Sequence, residues 1–302
     1  MRIAVPLSLP DELRAVLGEL RLHSRAPIAT GGLGMHASRN RGAGLEFAQY
    51  RGYQPGDEPR HIDWKLFARS DRYFVREAEF DSQLTVWIVI DASASMGQAD
   101  QARSALRKLD AAKLLVLAVM ELALRQGDLF GLVVLANDSV DFIAAAAGPR
   151  QRDRCLLALD RMQPAGNLPG AEALRPLWEK IQAGSLVVMF SDGFDDGWTE
   201  LSCRLASARR EVRCIHLSSA EERDFPFKGG LHFRDPESGV EIQVDAARAR
   251  AGFLERFGKA REALRKRLQA AGIAQVEHVL DRPLVEPLRY LFGGPRSRDD
   301  VR

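Results

Sequence analysis

Asp91, Ser93 and Ser95 occupy alternate positions of VIDASASMG (89–97), directly after the apolar run from Leu84 to Ile90. One carboxylate and two hydroxyls in so short a loop suit three tasks: wrapping oxygens around a hard cation, presenting a nucleophile, or capping the next helix. A second acid, Asp192, follows another apolar run, SLVVMF (185–190), within the tripeptide SDG. In an open parallel sheet, ligands gather beyond the carboxyl ends of the strands. If the runs 84–90 and 185–190 are neighbouring strands, Asp91 and Asp192 converge on one crevice. Two close carboxylates repel unless a cation or a shared proton lies between them. Oxygen donors with few carboxylates suit Mg²⁺ (or Mn²⁺) better than Zn²⁺ or Ca²⁺. A third polar loop, AGNLPG (165–170), offers Asn167.

The other chemistries fit less well. A hydrolase serine wants a GxSxG elbow and a histidine base; DASAS lacks the glycines, and the histidines at 23, 36, 61, 216, 232 and 278 show no paired spacing. His216 reads as a satisfied core residue. Mg²⁺-dependent phosphotransfer or phosphohydrolysis centred on Asp91 is the enzymatic alternative, but that chemistry wants a second acid two residues on, where Ser93 stands. The arginines and aromatics of residues 39–76 form the other alternative, a nucleic-acid surface. Glu46, Asp57, Glu58, Asp63, Asp71 and Glu77 are interleaved with them, so ion pairs bracing a small subdomain, with the aromatics mostly in a core, explain the block better than a single-sign groove.

The elements that must position these residues are legible from periodicity. LTVWIVI (84–90), DLFGLVVL (128–135), SLVVMF (185–190) and EVRCIHL (211–217) are apolar on both faces and alternate with amphipathic segments, 101–125, 150–162, 171–182 and 199–209. That pattern predicts a mostly parallel sheet covered by helices on both faces, an α/β doubly wound fold. NDSVDFIAAA reads as a turn and an edge strand, GGLHFRDPESGVEIQVD as a hairpin, and 246–271 as a long helix, with a strand at 273–280 and a last helix at 283–292. Upstream, 10–22 predicts a short amphipathic helix, LEFAQYRGY and RYFVREAEF predict strands, and Asp57 is placed to cap a helix running to about Ala68. Residues 1–83 are thus expected to be an accessory segment to an α/β domain at 84–302.

Composition excludes several classes. The 302 residues are 46% hydrophobic, and 43 basic against 41 acidic residues leave a charge of only +2, so nothing global drives the chain to nucleic acid or membrane. Cys155, Cys203 and Cys214 form no CxxC pair, which argues against a zinc site. The greasiest stretch, 111–124, carries Lys113 and Glu121, and no secretory leader is evident, so a cytoplasmic location is expected.

The D-x-S-x-S of Asp91, Ser93 and Ser95, with Asp192 later, resembles the metal-ion-dependent adhesion site of von Willebrand factor A domains. The block RGYQPGDEPRHIDWKLFARSD (51–71), followed by DASASM, resembles the bacterial DUF58 family over most of the chain. The resemblance implies a Rossmannoid, von Willebrand A-like core and a divalent ion held by Asp91, Ser93, Ser95 and Asp192. Asn167 stands where such sites usually offer a threonine. It also implies a non-enzymatic interaction module, with a MoxR-type AAA+ ATPase as the partner. The signature block supplies candidate partner contacts: Arg51, Asp57, Arg60, Asp63 and Trp64.

Overall fold

The computed structural model describes residues 7–24, 46–54, 62–79, 83–100 and 106–293. The chain divides into two compact units, one of residues 29–83 and the other of residues 1–28 with 84–302.

In the smaller unit, β1 (Glu46–Gly52) pairs antiparallel with β2 (Phe74–Glu79), and α2 (Trp64–Ser70) lies between them in sequence. The helix expected from Asp57 instead begins at Trp64. Asp63 is its cap, with one carboxylate oxygen accepting from the N–H groups of Lys65 at 2.9 Å and Leu66 at 3.0 Å, which satisfies two of the donors a helix start leaves open. Asp71 ends the helix in the left-handed region, at φ 53°. Asp57 and Arg60 lie outside the described residues. The aromatics are not mostly core: Trp64, Tyr73 and Tyr53 are exposed and pack on one another and on Phe67, whose ring stacks on Tyr73 at 4.5 Å.

The larger unit is built on a six-stranded sheet. Its strands are β3 (Thr85–Asp91), β4 (Leu129–Ala136), β5 (Ser139–Ala146), β6 (Leu186–Ser191), β7 (Glu211–Ser218) and β10 (Ala274–Val279). They run in the order β10-β7-β6-β3-β4-β5. All neighbours are parallel except β5, which returns antiparallel along β4. Side chains alternate across each strand. Val86, Ile88 and Ile90 therefore join the core that includes α1 (Asp11–Val16), α3 (Lys108–Gln126), α4 (Pro149–Arg161) and α9 (Val285–Phe292). Trp87 and Val89 join the opposite core, under α5 (Ala171–Lys180), α6 (Asp196–Ser207) and α8 (Ala246–Ala270). Both faces are covered, as the doubly apolar strands predicted. A short helix α7 (Ala220–Asp224) and the hairpin β8 (Gly230–Arg234)–β9 (Glu241–Asp245) complete the unit.

Several boundaries differ from expectation; the helix predicted over 10–22 ends at Val16. The helix predicted over 101–125 begins only at Lys108, because Ala99 bridges back to Arg107 and the Lys108 N–H donates to the Gln98 carbonyl at 2.9 Å. The Asp110 carboxylate then accepts from the Arg107 N–H at 3.3 Å and from its guanidinium at 2.8 Å. The accessory segment predicted over 1–83 is also divided. Residues 7–24 belong to the α/β unit, with Leu13, Leu17 and Leu20 in its core and Leu20 bridged to Gly293.

Candidate metal centre

β3 and β6 are neighbours in register, with Ile90 opposite Phe190. One step on, Asp91 and Ser191 share the Trp87–Val89 side of the sheet, and the Ser191 hydroxyl donates to Asp91 Oδ2 at 2.7 Å. The other oxygen, Oδ1, accepts the Ser93 N–H at 2.8 Å. The chain then closes in a 3-10 turn, Ala94–Gly97, which sets the Ser93 and Ser95 hydroxyls 3.1 Å apart. Asp91 and Ser93 are each 1% exposed and Asp192 3%. The structure thus brings together Asp91, Ser93, Ser95 and Asp192.

Asn167 lies on a loop clasped to the same turn. Ala165 donates to the Ala92 carbonyl at 2.9 Å, and the Ala94 N–H donates to the Gly166 carbonyl at 2.9 Å. Asn167 itself is exposed, and its carbonyl accepts from Asp138 at 3.1 Å. Gly166 is required there: it sits at φ +58°, and a Cβ would come within 2.7 Å of Asn137.

Four charged residues that the sequence did not single out complete the surroundings. Lys108, at the first turn of α3 and 1% exposed, places its ammonium 3.4 Å from Asp192 and 2.6 Å from Glu222. A cation at a helix N-terminus opposes the helix dipole, so these acids hold it there. Glu222 is itself fixed by its reciprocal cap with Ser219. Arg261 of α8 donates to the Asp192 carbonyl at 2.7 Å and lies over the Phe194 ring at 4.5 Å. Glu237, on the turn between β8 and β9, lies in the field of Asp192.

Electrostatically the site is short of positive charge on one side. Burial, and then the neighbouring Asp192 charge, push the Asp91 carboxyl up to about 7, against the hydrogen bonds from Ser191 and Ser93 that favour its ionised form. Burial likewise raises Glu237, with Asp192, Asp195 and Asp235 adding to the effect. His216, on β7, is held down to about 3 by burial and by Arg261. It is buried as expected but not satisfied, since neither ring nitrogen has a hydrogen-bond partner among the described residues.

The donor set fits a small, hard cation. Adjacent oxygens on an octahedral ion with bonds of about 2.1 Å lie about 3.0 Å apart, close to the 3.1 Å between the Ser93 and Ser95 hydroxyls. Two buried carboxylates supply the charge. Among the described residues no group of three His, Cys, Asp or Glu is gathered for a metal. Arg51 lies in β1, Asp63 caps α2, and Trp64 is 57% exposed. Among the described residues no helix is long and apolar enough to cross a membrane.

The profile of the family described as "Protein of unknown function DUF58" matches residues 49–266. Uncharacterized proteins of Mycobacterium tuberculosis and Mycobacterium bovis are each 29% identical over 222 residues, spanning 71% of this chain and 68% of theirs. Among solved structures, the conserved hypothetical protein BatB of Bacteroides thetaiotaomicron is 18% identical, with a TM-score of 0.39 over 63% of this chain and 98% of that one. The SpRpn10 VWA domain is 15% identical, with a TM-score of 0.43 over 72% of this chain and all 100% of its own.

Proposed function

The chain belongs to the DUF58 family, and on that footing we propose that it is a protein-interaction module that recognises a partner's acidic residue through a bound divalent cation, Mg²⁺ or Mn²⁺. The observation that carries this is the convergence of Asp91, Ser93, Ser95 and Asp192 at two adjacent strand ends, with the two hydroxyl oxygens at the spacing of neighbouring ligands. A cation bound there supplies an exchangeable position for a carboxylate.

The protein's own residues do the rest. The Ser191 hydroxyl and the Ser93 N–H orient the Asp91 carboxylate. The 3-10 turn fixes the serine pair. The clasp between Ala92, Ala94 and the 163–170 loop keeps the rim from moving, and Asn167 is the rim residue proposed to add a further oxygen. Because both oxygens of Asp91 are engaged and the residue is buried, it is poorly presented for attack on a phosphorus, which favours recognition over phosphotransfer.

The family resemblance carried by the 51–71 block points to a MoxR-type AAA+ ATPase as the partner, for which this protein acts as an adaptor. Arg51, Asp57, Arg60, Asp63 and Trp64 are proposed as further contacts on that partner. Calorimetric titration of Mg²⁺ into wild type and Asp91→Ala tests the centre. Wild type is expected to bind and the variant to lose at least about a hundredfold in affinity, since a metal ligand is removed; equal binding, or none in either, refutes the cation. Capture of a MoxR-type ATPase in Mg²⁺ but not in EDTA tests the partner.

A further inference from the structure

We infer that Glu222, on α7, is a positioning residue for the candidate cation site: it keeps the Lys108 ammonium from closing on Asp192, so that the Asp192 carboxylate stays available to a divalent cation. The inference rests on the cation site proposed above and names a residue that sets its affinity while acting through another side chain.

The first support is how one ammonium is divided between two acids. Lys108 is 1% exposed, and its Nζ lies 2.6 Å from Glu222 Oε1 but 3.4 Å from Asp192 Oδ2. The shorter contact is a full charge-assisted hydrogen bond, and the longer one stands at the outer limit of bonding. The remaining neighbour is the Phe194 ring, whose centroid is 5.7 Å away. Lys108 thus offsets part of the Asp192 charge while its bond belongs to Glu222. With Glu222 neutral, Asp192 is the one carboxylate left in reach, and a buried ammonium is costly to leave unpaired. An ammonium closed on Asp192 would occupy the oxygen a cation needs and repel that cation as well.

The second is the state of Asp192. Its Oδ1 accepts the Phe194 N–H at 3.3 Å, so among the described residues neither oxygen has a contact shorter than that. Asp91, by contrast, is held at 2.7 and 2.8 Å. A carboxylate with only long bonds gives up little when it takes an ion.

The third is the frame that holds Glu222 in place. Its Oε2 accepts the Ser219 N–H at 2.8 Å, and its own N–H donates to the Ser219 hydroxyl at 3.1 Å. Asp100, 2% exposed, accepts from the N–H groups of Ala220 at 3.0 Å and Glu221 at 3.1 Å. Gln98, two residues before Asp100, accepts the Lys108 N–H at 2.9 Å. Glu222 and Lys108 are therefore both anchored to the short stretch that follows Ser93 and Ser95, and their contact is fixed relative to the serine pair.

The test is Mn²⁺ titration of the full chain. The proteins compared are wild type, Asp91→Ala, Glu222→Gln, and Glu222→Gln combined with either Lys108→Met or Lys108→Gln. Glutamine at 222 keeps an oxygen for the Ser219 N–H, so the charge is removed and the cap is spared. Asp91→Ala is expected to lose the ion. Glu222→Gln is expected to bind it about ten- to a hundredfold more weakly, the usual cost of losing a group that supports a metal ligand. Both double variants are expected to recover wild-type affinity or better, because the competing ammonium is gone. Lys108→Gln retains a donor for Asp192, so the rescue can be read even where methionine unfolds the chain. Glu222→Gln binding like wild type, with the ion lost in Asp91→Ala, overturns the inference and leaves the cation site standing. Double variants as weak as Glu222→Gln overturn it too, since the loss is then one of structure. If wild type takes up no Mn²⁺, the cation site itself is wrong and the inference falls with it.

Discussion

Asp91 and Asp192 stand at the ends of two neighbouring parallel strands, are nearly equally buried, and differ in what answers their charge. Among the described residues Asp91 receives only neutral donors, the Ser93 N–H and the Ser191 hydroxyl. Asp192 has the Lys108 ammonium 3.4 Å away, and Arg261 bonds its carbonyl. The cause is topological. Asp192 has gone one residue further than Ser191 and meets the first turn of α3, while Asp91 stays on the side of the sheet where Trp87 and Val89 point. The protein carries its own cation for one acid and leaves the other to be answered from solution.

The heaviest blow to that asymmetry is Lys108→Met. It strands Asp192 and Glu222 together, and breaking a buried pair costs about 3–5 kcal/mol, so denaturant unfolding should show a loss near the top of that range. Unchanged stability would mean that Lys108 is not the resident counterion.

Asp91→Asn should move stability the other way in metal-free protein. The folded-state value of Asp91, about 7, lies above its ordinary 3.8. The stability that its proton lends is therefore fully present below about pH 4 and lost as pH rises through about 7. At roughly 1.4 kcal/mol per unit, the loss approaches about 4 kcal/mol at pH 8. Asparagine escapes it, so the variant should be more stable than wild type at pH 8 and equal to it at pH 4. The corresponding Asp192→Asn should show no such gain. A destabilised Asp91→Asn at pH 8 would erase the distinction between the two acids.

Ser191→Ala sharpens it at smaller scale. Asp91 loses one neutral donor, at a cost of about 1–2 kcal/mol, and the Lys108 pairing should persist. A Tm unchanged in the metal-free state would show that the Ser191 bond contributes nothing net.

Much of this was legible before any coordinates. Strands apolar on both faces implied the doubly wound sheet, and acids directly after two of them implied a shared crevice, because a parallel sheet delivers all its carboxyl ends to one edge. Lys108 was hidden because a single lysine beside an apolar helix looks like a solvated residue; only the return of Ala99 to Arg107 drives it inward. Arg261 and Glu237 were hidden for a different reason. They come from a helix and a hairpin turn whose packing depends on contacts distant in sequence, and no local period records those. The cap moved from Asp57 to Asp63 because two acids precede the same apolar residues, and propensity alone does not rank them.

The strap that residues 7–24 lay across the α/β unit has a consequence for the order in which the chain can mature. Leu20 bridges Gly293, the Arg21 N–H donates to Phe292 at 3.1 Å, and Arg213 donates to the His23 carbonyl at 2.5 Å. During synthesis this segment leaves the ribosome early, yet its berth is finished only when α9 emerges. Closing so long a loop adds little to the final free energy, because the entropy grows only with the logarithm of length, but it makes the contact non-local and slow to find. Leu13, Leu17 and Leu20 wait exposed in the meantime, the first part of the unit to be made and the last to be housed.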